Sequence, residues 1–257
     1  MRFVLKLHTA AAKPVIPANY AYPLSASIYR ILSHADSSYA AYLDEEGYGN
    51  GFKLFSFSQI NCPFQENGDR LRLLNRELSF FISFHLPDTA ETFIKDLFHS
   101  EMIGISDKKS KTGFVVREIE ILPNPVQDYK ERTIVQLVLK PLSPIVAGMP
   151  DKAGYDFLSP VDVRFIPNLL HNWKCKIASC YDEATASSAL LQLEPVFLET
   201  PPKPRVIILN GGTTTEKRMT GWMNFELQAT AERRFVELLL NAGMGLYNGQ
   251  GMGYVSE

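Results

Sequence analysis

The sequence predicts an α+β protein of two consecutive βαββαβ units, with a glycine-rich loop near its C-terminal end. The order of alternating and helix-periodic segments predicts the first unit in residues 1–124, and a weaker repeat of that order predicts the second in residues 132–257. Two G-x-G units, at 243–245 and 251–253, stand symmetrically around five residues. The 257 residues, 46% of them hydrophobic, are enough for two small domains with proper cores.

The first unit begins with an alternating strand at 2–8. A helix is predicted next, because the apolar residues of 24–32 share one helical face and Pro23 stands where a helix can begin. The remaining elements are a helix at 36–47, a strand at 52–60, one or two strands at 70–86, a helix at 88–100 and a strand at 113–122. This order is that of the ferredoxin-like fold.

Residues 123–131 are polar, contain two prolines and are interpreted as a linker. The second unit is predicted to contain a strand at 133–145, a helix at 160–178 that Pro167 interrupts near its start, strands at 193–199, 205–210 and 218–229, a helix at 230–243 and a last strand at 251–256. The glycine-rich loop connects the last helix of this unit to its last strand.

The glycines of the loop are Gly243, Gly245, Gly251 and Gly253. Glycine has no Cβ and adopts positive φ, so this spacing favours a backbone held against something bulky and negative, such as a phosphate. A flexible hairpin without a ligand is the alternative.

Charge is distributed unevenly, although the net charge of −2 does not by itself indicate a nucleic-acid-binding protein. The basic residues that gather in the last quarter of the chain are Lys203, Arg205, Lys217, Arg218, Arg233 and Arg234. Each of them alone is most simply a solvated surface residue. As a group close to the glycine-rich loop, they suggest a binding surface.

The three cysteines, Cys62, Cys175 and Cys180, have no zinc-site spacing and are interpreted as reduced thiols of a cytoplasmic protein. Neither a metal nor another cofactor is expected. The apolar N-terminal stretch is too short for a signal peptide, and no apolar run reaches membrane-spanning length, so no membrane association is expected.

Three stretches resemble the CRISPR-associated endoribonucleases that cut repeat RNA into guide RNAs, within the superfamily of repeat-associated mysterious proteins. The glycine pattern at 243–253 is similar to the signature loop of that family. Residues 16–32 resemble its first loop and helix, and residues 52–58 resemble its second strand. The likeness extends over nearly the whole chain and implies two tandem ferredoxin-like folds, with RNA bound near the loop. The loop glycines and the basic residues noted above are then the predicted RNA-binding residues.

The resemblance implies a metal-independent reaction, in which a 2′-hydroxyl attacks the adjacent phosphate and leaves a cyclic phosphate and a 5′-hydroxyl. This step needs a base, an acid and a cation that stabilises the phosphorane. Tyr29 matches the tyrosine of the family, and Lys53 matches its lysine. The alternatives are a tyrosine that packs in the core and a lysine on the surface.

The position of the family's histidine is occupied by Asp44. An aspartate has an ordinary pKa of about 4 and is a poor acid at neutral pH. The acidic run 44–46 also lies at a predicted helix C-terminus, where the helix dipole favours cations. Either Asp44 is a base in an unusual arrangement, or the role has moved, or it has been lost. His34, close to Tyr29 in the sequence, is the candidate for a moved histidine, although capping or packing is its simpler role.

The sequence therefore predicts an endoribonuclease that processes CRISPR repeat RNA. Asp44 leaves a second hypothesis open, a non-catalytic paralogue that holds repeat RNA or is a subunit of a CRISPR effector complex. An unrelated tandem ferredoxin-like protein would leave the glycine pattern unexplained. Apolar edge strands are compatible with a homodimer.

Overall fold

A computed structural model of the chain describes residues 1–33, 54–86, 90–151, 154–209 and 216–257. The strands in these ranges are β1 (Arg2–His8), β2 (Val15–Pro17), β3 (Phe55–Phe57), β4 (Phe64–Asn67), β5 (Arg70–Leu73), β6 (Glu77–Phe84), β7 (Met102–Ser106), β8 (Lys111–Ile121), β9 (Ile134–Pro141), β10 (Gly148–Asp151), β11 (Gly154–Phe157), β12 (Leu191–Phe197), β13 (Lys203–Leu209), β14 (Lys217–Met223), β15 (Phe225–Glu232) and β16 (Val255–Ser256). The helices are α1 (Ala21–Ser33), α2 (Glu91–Ser100), α3 (Phe165–Cys180), α4 (Glu183–Ser188) and α5 (Arg233–Ala242), with a 3₁₀ turn at Asn248–Gln250.

The N-terminal half, from β1 to β8, is built on one sheet with the strand order β3-β6-β1-β8-β7, in which all neighbours are antiparallel. Helix α1 buries the apolar face that the sequence predicts, and Pro23 lies in its first turn, where a backbone N–H has no partner inside the helix. A small second sheet has the order β2-β5-β4. The predicted helix at 36–47 lies outside the described residues.

The C-terminal half, from β9 to β16, is built on a sheet with the order β12-β15-β9-β16, again antiparallel. Two further hairpins, β10-β11 and β13-β14, are inserted before and after the strand β12. Helix α3 buries Trp173 and helix α5 buries Phe235, and both residues belong to the core of this half. The described residues thus form an α+β structure with two principal sheets.

Three details of the predicted second unit are corrected. Pro167 does not interrupt α3, because it is the third residue of the helix and its missing N–H falls in the first turn. The strand predicted at 218–229 is two strands, since Asn224 has a φ of 64° and turns the chain between them. The last strand is shorter than predicted because residues 251–253 belong to the glycine-rich loop.

The predicted linker contains neither a helix nor a strand, but it is packed against the C-terminal half. Val126 is fully buried in the core of that half, and its carbonyl oxygen accepts a hydrogen bond from Arg233 Nε at 3.1 Å. The chain between β8 and β9 is therefore held in place.

The two halves are in direct contact. The rings of Phe81 and Tyr254 stack with their centroids 5.9 Å apart. Gln59 donates its backbone N–H to the carbonyl oxygen of Leu142 at 2.9 Å. Leu54, directly before β3, is buried in the core of the C-terminal half. These contacts create a junction where residues of both halves can form one site. No helix in the described ranges is long and apolar enough to cross a membrane.

Candidate functional site

The glycine-rich loop, residues 243–253, lies at the junction of the two halves and meets Tyr29. The 3₁₀ turn of the loop packs on α1, where Ser25 Oγ donates a hydrogen bond to the carbonyl oxygen of Gly249 at 2.7 Å. The Tyr29 hydroxyl lies where a Cβ on Gly249 would stand. The ring of Phe55 packs edge-on against Tyr29, with 5.3 Å between centroids. Three stretches that are distant in the sequence therefore meet at one place.

The four predicted loop glycines are buried, and each has a φ between 68° and 82°, a conformation that favours glycine. The space beside them is filled by protein. A Cβ on Gly251 would lie 2.5 Å from the Phe57 ring, and one on Gly245 would overlap the carbonyl oxygen of Val146. Packing inside the protein thus explains the requirement for glycine at these positions.

Most of the N–H groups of these glycines are already used. Gly243 donates to Leu239 at 2.9 Å, Gly251 to Asn248 at 3.0 Å and Gly253 to Pro144 at 2.9 Å, in each case to a carbonyl oxygen. Direct binding of RNA by the four glycines stays a prediction.

Lys176, on the buried face of α3, holds the first G-x-G unit and is not among the residues that the sequence singles out. Its side chain is 1% exposed, and its ammonium donates to the carbonyl oxygens of Gly243 at 2.6 Å and Gly245 at 3.2 Å, and to Asn248 Oδ1 at 2.7 Å. An ammonium has three N–H donors, so all of them are used. The signal in the sequence is a lysine within the apolar stripe of a helix, three residues after Trp173 and directly before Ile177.

Asn248 connects the two G-x-G units. Its Nδ2 donates to the carbonyl oxygen of Met244 at 3.1 Å and to that of Met252 at 3.0 Å, so one amide joins the middle residue of each unit. Asn248 is itself 6% exposed. Because its Oδ1 accepts from Lys176, the ammonium and the amide form one buried network.

Two of the predicted basic residues lie on the exposed surface of β13. Lys203 and Arg205 are exposed, and Arg205 lines a cleft of about 330 Å³ between the halves, together with Tyr20 and Gly251. Burial raises the pKa of Tyr20 to about 12, while the charge of Arg205 opposes this shift. The loop and β13 therefore face one cleft.

The other predicted basic residues differ in their surroundings. Arg218 is exposed and pairs with Glu216 at 2.9 Å, whereas the side chain of Lys217 lies outside the described part of the chain. Arg233 pairs with Glu237 at 3.1 Å. Arg234 pairs with Glu232 at 2.8 Å and lies over the rings of Tyr181 and Phe235. The charges of Arg233 and Arg234 are thus partly neutralised within the C-terminal half, and their contact with RNA stays a prediction.

Of the four predicted catalytic residues, only Tyr29 is among the described residues. His34, Asp44 and Lys53 lie outside them. Burial raises the pKa of Tyr29 to about 12, so its hydroxyl keeps its proton at neutral pH. In the described ranges, no group of three or more His, Cys, Asp or Glu side chains is arranged to hold a metal ion.

Comparisons with known proteins match both halves of the chain. The family model for the N-terminal part of CRISPR-associated protein Cas6 matches residues 15–120, and the model for its C-terminal part matches residues 124–257. A relative from Methanocaldococcus jannaschii, described as CRISPR-associated endoribonuclease Cas6 1, is 29% identical over 187 residues, which cover 71% of this chain and 68% of the relative.

Solved structures share the fold over the full length of the chain. A structure described as CRISPR associated protein Cas6 is 23% identical, with a TM-score of 0.71, and the match covers 100% of this chain and 98% of the other. The product of a Cas6-related gene from Pyrococcus furiosus is 20% identical, with a TM-score of 0.75 and coverages of 100% and 97%. A RAMP protein described as binding different RNA substrates is 18% identical, with a TM-score of 0.73 and coverages of 100% and 98%.

The two sheets and the buried glycine-rich loop at their junction define the class as an α+β protein of two packed halves, and the family models divide the chain in the same way. The chain belongs to the Cas6 family of CRISPR-associated, repeat-processing endoribonucleases.

Because neighbouring atoms crowd the loop glycines, we expect their replacement by alanine to destabilise the protein more than the same change at an uncrowded glycine with positive φ. Gly68 is a matched control, because its φ is 57° but no atom lies within 4 Å of the point that a Cβ would occupy. We expect Gly68→Ala to cost roughly 1 kcal/mol from backbone strain. Gly251→Ala adds overpacking against Phe57, roughly 1–3 kcal/mol more. Thermal melting should therefore show a clearly lower Tm for Gly251→Ala, and equal shifts for the two variants would contradict the crowding.

Lys176 predicts a pH dependence of stability. Burial lowers the pKa of its ammonium to about 7 from an ordinary value of 10.5. Between these values the unfolded chain binds more protons than the folded one, so this residue makes the free energy of unfolding rise with pH. Burial raises the pKa of Tyr29 and of Cys180 to about 12, which acts in the opposite direction above about pH 9.

Between pH 7 and pH 9, a comparison of the wild type with Lys176→Met separates the contribution of Lys176 from those of groups present in both proteins. Over this interval, we expect the free energy of unfolding of the wild type to rise by about 2 kcal/mol relative to that of Lys176→Met. Urea denaturation of both proteins at each pH measures the difference. A constant difference would mean that Lys176 keeps its charge throughout.

Proposed function

We propose that this protein binds CRISPR repeat RNA and cuts precursor transcripts into guide RNAs without a metal ion. A 2′-hydroxyl attacks the adjacent phosphate and leaves a cyclic phosphate and a 5′-hydroxyl. The observation that carries the proposal is the meeting of Tyr29 with the glycine-rich loop at the junction of the halves. Membership of the Cas6 family, with a relative described as an endoribonuclease, supports it.

We also propose that residues 1–124 and 132–257 are two ferredoxin-like domains. The sheet orders β3-β6-β1-β8 and β12-β15-β9-β16 support this, because in each the first strand of the unit lies between its third and fourth strands. That is the arrangement of a βαββαβ unit with antiparallel strands. The two hairpins of the C-terminal half are then insertions into this plan.

In the proposed reaction, Tyr29 acts with its proton in place. A phenol with a pKa of about 12 is a poor base at neutral pH, but its hydroxyl can donate a hydrogen bond to charge that develops on the phosphate or on the leaving oxygen. The base is then His34 or Asp44. Lys53 supplies the cation that stabilises the phosphorane.

Incubation with repeat RNA from the same CRISPR locus, in the presence of EDTA, tests the proposal. We expect cleavage, with a cyclic phosphate on the 5′ product that mass spectrometry identifies. Tyr29→Phe should lower the single-turnover rate by at least roughly tenfold, since a positioned proton donor contributes on the order of 10²–10⁴. Its RNA affinity should stay within a few-fold.

The matched control is Tyr22→Phe, which changes an exposed tyrosine two turns earlier on α1 and should leave the rate unchanged. Loss of cleavage in EDTA that magnesium restores would overturn the metal-independent mechanism. Equal rates for wild type and Tyr29→Phe would remove Tyr29 from it.

Because Asp44 stands where the family has its histidine, a second candidate function is non-catalytic: the protein holds repeat RNA or is a subunit of an effector complex. Single-turnover assays of wild type, His34→Ala and Asp44→His separate the two. If the histidine has been lost, the wild type is weak and Asp44→His raises its rate. If the role has moved, the wild type is competent and His34→Ala abolishes cleavage. A competent wild type that neither change affects would place the base elsewhere in the chain.

Among the predicted basic residues, Lys203 and Arg205 are the best candidates for RNA binding. Both are exposed on β13, and Arg205 lines the cleft between the halves. Each phosphate contact to a single strand changes the slope of log K against log salt by about 0.7. We expect replacement of both by alanine to weaken RNA binding in a gel shift and to reduce that slope by about 1.4. Lys174→Ala, an exposed lysine on α3, is the control. An unchanged slope would exclude phosphate contacts by the pair.

A further inference from the structure

We propose that Lys176 is a positioning residue for RNA cleavage, which fixes the glycine-rich loop from the C-terminal half and thereby sets the place of the loop's turn against Tyr29. The proposal rests on the proposed function. Lys176 itself is buried beneath the loop and does not reach the cleft surface, so it acts through the loop and not on the RNA.

The loop needs an external anchor because its backbone has little conformational preference of its own. Five of the eleven residues from 243 to 253 are glycine, the residue that loses most conformational freedom when a chain folds. A single conformation of such a segment depends on contacts made from outside. The Lys176 ammonium provides three of these contacts at one point.

A lysine is an energetically unfavourable choice at this position, which indicates a specific role. It occupies a place in the apolar stripe of α3, between Trp173 and Ile177, where an apolar side chain would avoid the cost of burying a charge. Its terminal nitrogen instead donates to the oxygens of Gly243, Gly245 and Asn248 together. Without it, these buried oxygens would lose their donor, and the loop would rearrange to find others.

The anchored loop reaches Tyr29 through a short series of contacts. Lys176 binds Asn248 Oδ1, and Asn248 Nδ2 in turn binds the carbonyl oxygens of Met244 and Met252. The next residue, Gly249, accepts from Ser25 on α1 and packs directly against the Tyr29 hydroxyl. A shift of the turn therefore moves the surface on which the hydroxyl rests.

Lys176→Met and the control Lys174→Met, on the same helix but exposed, form the central comparison. Amide hydrogen exchange on the full chain measures how often the loop opens, independently of activity. We expect Lys176→Met to speed exchange in residues 243–253 and in α1, and Lys174→Met to change neither. At saturating RNA, Lys176→Met should lower the single-turnover rate roughly tenfold to a hundredfold, as expected for a small misplacement of a reacting group, with RNA affinity within a few-fold.

A double-mutant cycle with Tyr29→Phe distinguishes positioning from a general loss of structure. If Lys176 acts through Tyr29, Lys176→Met causes little further loss of rate in the Tyr29→Phe background, because the two effects are not additive. Full additivity of the two losses would overturn the proposal, as would unchanged exchange of the loop in Lys176→Met. If Tyr29→Phe alone leaves the rate unchanged while exchange of the loop rises in Lys176→Met, the proposed function of Tyr29 fails and the anchoring of the loop stands.

Ser25→Ala tests the positioned loop from its opposite side with a milder change, and it keeps that premise of the proposal testable if Lys176→Met does not fold. It removes one hydrogen bond from the opposite side of the loop. Faster exchange of residues 243–253 and a lower rate that is non-additive with Tyr29→Phe would support a positioned loop. Unchanged exchange and an unchanged rate would overturn it.

Discussion

The hydrogen bonds from the Lys176 ammonium to Gly243, Gly245 and Asn248 oppose the conformational freedom of a loop in which almost every second residue is glycine. The glycines are required because the chain must pass where neighbouring atoms leave no room for a Cβ, and the same choice makes the loop flexible in isolation. The ammonium resolves this conflict. Burial of the ammonium costs free energy, and its hydrogen bonds to the three oxygens offset that cost.

Once it is fixed, the loop connects the two halves. Its start continues from α5 and its end leads into β16, so both ends belong to the C-terminal half, while its turn rests on α1 and β3 of the N-terminal half. The stacked rings of Phe81 and Tyr254 add a contact next to the end of the loop. Both halves line the cleft, with Arg205 from one and Tyr20 from the other, and Gly251 of the loop lines it as well.

Much of the fold can be predicted because periodicity reports burial directly, as the apolar face of α1 shows. Pro167 misleads because a proline in the first turn looks the same in sequence as one that breaks a helix, and only the position of the helix start separates them. The glycine pattern marks the loop but not the reason for its glycines, since the atoms that crowd Gly251 and Gly245 come from Phe57 and Val146, far away in the chain. The role of Lys176 cannot be predicted from the sequence because two of its partners are backbone oxygens, which every residue carries.

The proton on Tyr29 constrains what the rest of the site must supply. A hydroxyl held in its neutral form by burial can stabilise charge but cannot remove a proton from a 2′-hydroxyl at neutral pH, so the proposed reaction needs a separate base. The sequence between α1 and β3 carries the residues proposed for that role and for the cation. Both described ends of this stretch lie close to Tyr29: Ser33 is one turn further along α1, and Leu54 precedes Phe55, whose ring touches Tyr29. In the C-terminal half, Arg233 and Arg234 are already paired with carboxylates, which makes them weaker candidates for the cation.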